Sequence, residues 1–244
     1  MSILQTKNLL KQFDSIKAVD HLSITIPKGK ITGIIGPNGS GKSTLINLLT
    51  GIIPLTGGAV VLHEKIHLSR IKSHEVPAYG MTRTFQDVRL FEQMPVLDNV
   101  LLALTERNVW SAIFERHKKF HLERAEEVLK RVGLWEKRAE LAVNLSYGQR
   151  KLLEIARALA MNAEIYLFDE PFAGLFPEMI KIVVSIVKEL RAAGKTIILI
   201  EHNMTLIREL SDHVIVMDSG KLLAEGEPEK VLREKQVVEA YLGE

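Results

Sequence analysis

The stretch GIIGPNGSGKSTLINLLTG, Gly33 to Gly51, leaves the chain few architectures, because an apolar strand must run into a glycine-rich loop that opens directly onto a helix. Gly36 to Ser43 satisfies the pattern G-x-x-x-x-G-K-S/T at every fixed position, and the apolar run before it supplies the context that the pattern requires. Such a loop turns backbone N–H groups toward phosphate oxygens at a helix N-terminus, where the helix dipole favours an anion. The nucleotide-binding residues expected from it are Gly36, Pro37, Asn38, Gly39, Ser40, Gly41, Lys42, Ser43 and Thr44. Lys42 adds a point charge for the β and γ phosphates of ATP, and the Ser43 hydroxyl is placed to ligate Mg²⁺.

A phosphate loop of this kind calls for carboxylates, and EIYLFDEP supplies them: the apolar run Ile165 to Phe168 delivers Asp169 and Glu170 at a strand end. Asp169 is expected to hold Mg²⁺ through water, and Glu170 to polarise a water that attacks the γ-phosphate.

Short β-branched runs alternate with amphipathic segments elsewhere. HLSITIP, KITGIIG, EIYLFDE, KTIILIEH and HVIVMDSG read as strands, which is the pattern of a buried, largely parallel sheet covered by helices. The middle differs, with helical periodicity through MPVLDNVLLALTER and HLERAEEVLKRVGL and hardly any strand signal, so residues 87–161 are predicted to form a helical subdomain inserted into the α/β core. ERHKKFHLER reads as a solvated helix face or loop.

The chain's 244 residues suffice for a substantial core, and 32 basic against 30 acidic residues argue against a nucleic-acid partner. The lack of cysteine excludes disulfides, thiolate metal sites and thiol catalysis, and suits a reducing compartment. No apolar run approaches the roughly 20 residues that cross a bilayer. The opening MSILQTKNLL also lacks a signal-peptide pattern, so any membrane association is expected to come through a partner.

A second glycine-containing helix start lies in NLSYGQRKLLEIARALA, Asn144 to Ala160. Ser146 and Gln149 fit a capping box, which accounts for both residues but not for Gly148 in the first turn, where glycine costs about 1 kcal/mol relative to alanine. A close approach by another group would account for it, and the exposed amides then offer a second anion seat. One chain has no obvious use for both seats on one nucleotide, so a head-to-tail pair of chains is the natural solution.

LSYGQ, Leu145, Ser146, Tyr147, Gly148 and Gln149, resembles the signature of ATP-binding cassette proteins, and the resemblance extends over nearly the whole chain. It implies one domain over residues 1–244, a RecA-like core of mixed, mainly parallel sheet with an N-terminal antiparallel β part, and an inserted helical subdomain. It also implies a second cassette subunit, either a copy or a sister chain, so that each ATP lies between one chain's phosphate loop and the other's signature. Phe13 resembles the aromatic that stacks on adenine, Gln86 in RTFQ the glutamine that touches Mg²⁺ or water and senses the membrane subunits, and His202 in LIEHN the switch histidine beside the γ-phosphate. Glu170 and His202 would be the catalytic pair. Phe176 in PFAGLFP stands where the family places Asp or Asn, which puts coupling between the two sites in question.

RTFQDVRLFEQMPVLDNVLLA and the terminal AYLGE resemble the ATPase subunits of branched-chain amino acid importers. Lipopolysaccharide-extraction and urea or amide transporters share much of this pattern, and soluble cassette proteins share the nucleotide motifs. The importer resemblance implies integral membrane permeases as partners, a solute-binding protein indirectly, and a peripheral position on the cytoplasmic face of the inner membrane.

Overall fold

The computed structural model describes residues 1–104 and 117–242. The ends of MPVLDNVLLALTER and AYLGE, and Glu115 and Arg116 of ERHKKFHLER, therefore lie outside the described residues. In chain order the elements are β1 (Ser2–Phe13), β2 (Ile16–Leu22), β3 (Thr25–Pro27), β4 (Ile31–Ile35), α1 (Lys42–Leu49), β5 (Gly57–Leu62), β6 (Ile66–Leu68) and β7 (Met81–Arg83). There follow α2 (Val96–Leu104), α3 (His117–Arg131), α4 (Tyr147–Ala160), β8 (Ile165–Asp169), α5 (Pro177–Ala192) and β9 (Thr196–Ile200). The chain continues through α6 (Met204–Leu210), β10 (His213–Asp218), β11 (Lys221–Gly226), α7 (Pro228–Val231) and α8 (Lys235–Leu242).

The described residues divide into two compact units, one of residues 1–83, 164–170 and 187–244, the other of residues 84–163 and 171–186. The first holds two sheets. In one, the order β2-β1-β5-β6 is antiparallel, with β3 also on β1. In the other, the order is β11-β10-β4-β9-β8-β7, parallel throughout except for the antiparallel edge strand β11. Every residue of β4, β8 and β9 is buried, as expected of central parallel strands with both faces covered. Leu45, Ile46, Leu48 and Leu49 of α1 join Ile34, Ile198, Ile200 and Ile215 in one apolar core, which anchors the helix that follows the phosphate loop.

The long strand β1 was not among the sequence-predicted strands. Asn8 adopts a left-handed φ of 46°, and the pairing with β5 shifts between Lys7 and Leu10, so a bulge breaks the alternation that would mark the strand.

The second unit is built from α2, α3, α4 and the first turns of α5, and contains residues 87–161. Ala125, Val128 and Leu129 line the buried side of α3, with Val132 buried just past its end, and Leu152, Leu153, Ile155, Ala156 and Leu159 line that of α4. Fully buried Asn99 accepts a hydrogen bond from Phe91 N (2.9 Å) and donates from Nδ2 to Phe91 O (3.0 Å) and Pro95 O (3.1 Å), fixing the turn that leads into α2. In the described part of ERHKKFHLER, α3 exposes Lys119 and Phe120. Among the described residues, no helix is long and apolar enough to cross a membrane.

Candidate functional site

The phosphate loop bridges the end of β4 and the start of α1. Gly41 caps α1 with φ 99°, and a Cβ there would lie 2.3 Å from the Ala18 carbonyl oxygen, so backbone conformation and backbone contact both demand glycine. No side chain caps α1, whose start is therefore built from main chain alone. Lys42 is buried within the loop and donates from Nζ to Gly36 O (2.7 Å), Pro37 O (2.8 Å) and Ser40 Oγ (3.3 Å). These bonds hold an ammonium charge inside the loop's curve. Asn38, Gly39 and Ser43 are exposed, and Thr44 is half-buried. Phe13 ends β1 as an exposed ring, with Lys11 Nζ 4.7 Å from its centroid.

Strand register brings the chemistry to one edge of the sheet. Asp169 of β8 pairs with Ile200 of β9, and Ile200 with Ile34 of β4, so the C-terminal ends of three adjacent strands stand level. The phosphate loop, Glu170 and His202 emerge just beyond that line, which is where open α/β sheets place ligands. Glu170 takes a left-handed φ of 49°, a conformation unusual for a non-glycine residue, and its N–H donates to Ile200 O (3.0 Å). His202 Nε2 lies 3.1 Å from Glu170 Oε1. Next to it, Asn203 caps α6 by accepting from Thr205 N (3.0 Å) and Leu206 N (3.3 Å), fixing the backbone that carries the histidine.

Asp169 is 2% exposed and accepts from Arg83 Nη2 at 2.8 Å. The same guanidinium donates from Nη1 to Asn47 Oδ1 (2.7 Å) and Thr50 Oγ1 (3.0 Å), both near the far end of α1. Breaking a buried pair of this kind costs about 3–5 kcal/mol. The sequence alone gives no role to Arg83, which opens RTFQ. Nothing local marks an arginine whose partners lie far along the chain.

The oxygen donors suit Mg²⁺ in kind. Ser43 offers an exposed hydroxyl and Asp169 a carboxylate held by Arg83, and no cluster of three or more His, Asp or Glu forms a cage among the described residues. Mg²⁺ favours such partial sets, because it keeps waters and arrives with phosphate oxygens.

The second helix start belongs to the other unit. Ser146 Oγ accepts from Gln149 N (3.3 Å) and Gln149 Oε1 accepts from Ser146 N (3.1 Å), completing the expected capping box. Arg150 secures the approach by donating to Leu145 O (3.0 Å) and Val143 O (3.1 Å). Leu145 and Gly148 are buried. A Cβ at Gly148 would meet Met179 Sδ at 2.5 Å, so within this chain the close approach comes from a flexible thioether of α5. The Tyr147 ring, 51% exposed, packs on Gly174, and Lys151 Nζ lies 5.9 Å from its centroid. Gln86 is exposed in the segment after β7.

Phe176 is 70% exposed, and its carbonyl accepts from Met179 N (2.9 Å) and Ile180 N (3.0 Å) at the start of α5. Its side chain has no oxygen with which to cap that helix. Phe13, the phosphate loop, Asp169, Glu170 and His202 thus lie in the first unit, and Gln86, Leu145 to Gln149 and Phe176 in the second.

Residues 19–173 match the ABC transporter family, and residues 221–244 match the family described as branched-chain amino acid ATP-binding cassette transporter. The chain is 39% identical over 251 residues to the high-affinity branched-chain amino acid transport ATP-binding protein LivG of Salmonella typhimurium, covering 99% of this chain and 98% of that protein. An ATP-binding cassette of an ABC transporter in its ADP conformation matches with a TM-score of 0.86 and 38% identity, covering 100% of both chains. A dimeric cassette in a post-hydrolysis state with ADP and Pi matches with a TM-score of 0.81 and 26% identity, over 93% of this chain and 99% of that one.

Proposed function

The chain belongs to the ABC transporter family and is an ATP-binding, ATP-hydrolysing cassette, and from that premise we propose that it powers branched-chain amino acid import through membrane permeases. The observation that carries the chemistry is the level edge of β4, β9 and β8, which sets the phosphate loop beside the hydrogen-bonded pair Glu170 and His202. The cargo follows from the full-length similarity to LivG and from the family match over residues 221–244.

In this reading Lys42 exchanges its carbonyl partners for β and γ phosphate oxygens, while the amides of Gly39, Gly41 and Ser43 face the same anion. Ser43 and Asp169 would hold Mg²⁺, with Gln86 as a further oxygen ligand, and the ion when bound screens phosphate charge. Glu170 takes the proton of the attacking water, and His202 orients that carboxylate and contacts the γ-phosphate. Arg83 keeps the Asp169 carboxylate in place without competing for the nucleotide. Phe13 stacks on adenine, and Leu145 to Gln149 serve the nucleotide of the second cassette, a copy or a sister chain, in a head-to-tail pair. Residues 1–244 act as one cassette domain with 87–161 as its helical subdomain, held by permeases at the cytoplasmic face of the membrane. Phe176 weakens coupling across that pair by removing the polar side chain that the family places there.

The test is reconstitution of the chain with its permeases, second cassette and solute-binding protein in liposomes. Uptake of leucine, isoleucine or valine that requires ATP and is lost with Glu170→Gln is the expected result. Transport of urea or release of lipopolysaccharide instead would replace the cargo.

A further inference from the structure

Within the helical unit, α4 carries a row of charge that neither hydrolysis nor capping uses: the buried Lys151 and Glu154 and the half-buried Arg157, spaced three residues apart. A glutamate in mid-helix ordinarily faces water, yet Glu154 is 4% exposed. Its Oε1 accepts from the backbone N–H of Phe85 at 3.1 Å, and the Arg89 backbone amide lies close enough to favour its ionised form. One turn further on, Arg157 Nη1 donates to the Arg89 carbonyl and its guanidinium lies 5.6 Å from the Phe91 ring. The Arg89 guanidinium in turn lies 4.1 Å from the Phe85 ring. Nearer the start of α4, Arg150 reaches Glu92 Oε1 at 3.2 Å. A single helix therefore grips both flanks of Gln86 from the side, while its own first turn is Tyr147, Gly148 and Gln149.

We propose that Glu154 is a positioning residue that binds the Phe85–Arg89 backbone to α4, so that Gln86 and the Ser146–Gln149 helix start are carried as one piece and Gln86 is held in the posture hydrolysis needs. The proposal rests on the reading that Gln86 serves the nucleotide site. A helix and a loop joined at one hydrogen bond can slip, but Glu154 and Arg157 hold the Phe85–Arg89 backbone from successive turns, and Arg150 adds a contact to Glu92 just beyond it. Burial pushes the Glu154 carboxyl up to about 7 against the pull of the two backbone amides and the nearby Arg157 and Lys151. Retaining a carboxylate at that cost fits a group kept for its two amide partners.

Amide hydrogen exchange and steady-state ATPase assays on the full-length chain test it, using Glu154→Leu, which keeps helix propensity and removes the acceptor, and Glu154→Gln, which keeps an acceptor oxygen. In the unmodified chain the Phe85 amide is expected to be protected. In Glu154→Leu it exchanges at least about tenfold faster while the amides of Leu153 and Ala156 stay protected, and kcat falls about tenfold with KM for ATP within about twofold. Glu154→Gln retains most of both. A Phe85 amide that exchanges in the unmodified chain at the rate of a free loop overturns the proposal without any variant. So does wild-type kcat in Glu154→Leu when Gln86→Ala is impaired. If Gln86→Ala itself keeps wild-type kcat, the role given to Gln86 falls, and the grip on the backbone is then judged by Phe85 exchange alone.

Discussion

The starts of α1 and α4 both carry a glycine, Gly41 as the cap of one and Gly148 in the first turn of the other, and they solve the problem of a helix start in opposite ways. At α1 the backbone does everything: Gly41 is left-handed, pressed against the Ala18 carbonyl, and no side chain caps the helix. At α4 side chains satisfy the start, with Ser146 and Gln149 capping each other and Gly148 in ordinary helical geometry beneath the Met179 thioether. The first start is suited to a ligand that supplies the missing acceptors, and the second is complete without one. A glycine at the first is therefore required by main-chain geometry, whereas a glycine at the second is required only by what packs on it.

The sharpest tests of that contrast run from hydrolysis down to local stability. Glu170→Gln, on the edge served by α1, should lower kcat by roughly 10³-fold and leave ATP affinity nearly unchanged, as measured by steady-state turnover and equilibrium nucleotide binding. The same variant should shift the apparent mass toward a dimer on adding ATP, in light scattering. Gly41→Ala should cost about 4 kcal/mol in chemical denaturation, because strain and a main-chain clash add. Gly148→Ala should change stability by no more than about 1 kcal/mol, since a flexible side chain moves aside and alanine is the better helix former. Equal losses at the two glycines would erase the distinction.

Titration of the α4 side gives an effect on the order of 3 kcal/mol. The Glu154 carboxyl ionises at about 7 when folded against 4.5 when unfolded, so between those values the folded chain holds the extra proton. Stability from this group therefore declines as pH rises from 4.5 to about 7 and is level above, and Glu154→Gln should flatten that slope in denaturation curves. Smaller still, Ser146→Ala should cost about 1 kcal/mol by removing the cap. Phe176→Asn should add about 0.5–1 kcal/mol by giving α5 a capping oxygen. It should also raise the ATPase rate of the assembled transporter, and unchanged turnover would count against the coupling assigned to position 176.

Legibility in the sequence followed the range of the interactions. β4, β8, β9 and β10 were readable because a buried parallel strand is a continuous apolar run, and the phosphate loop because all its fixed positions are local. The capping box was readable for the same reason. Arg83 was not, since Asn47 of α1 and Asp169 of β8 lie far from it along the chain and meet it only in the folded unit. Glu154 was hidden because helical glutamates mostly face water, and Met179 because its approach to Gly148 depends on how two helices pack. The left-handed turn at Glu170 also has no local marker, as glycine or asparagine would have provided.

Arg83 gives α1 the character of a gauge. The helix carries the phosphate loop at one end, and near the other Asn47 and Thr50 share a guanidinium with Asp169. Each residue of helix adds about 1.5 Å of rise and about 100° of rotation, so its eight residues fix the distance and the facing between loop and carboxylate. A single residue inserted into α1 would misalign the two ends even if the fold accommodated it. Reading frame along one short helix is thus itself a part of the geometry proposed for hydrolysis.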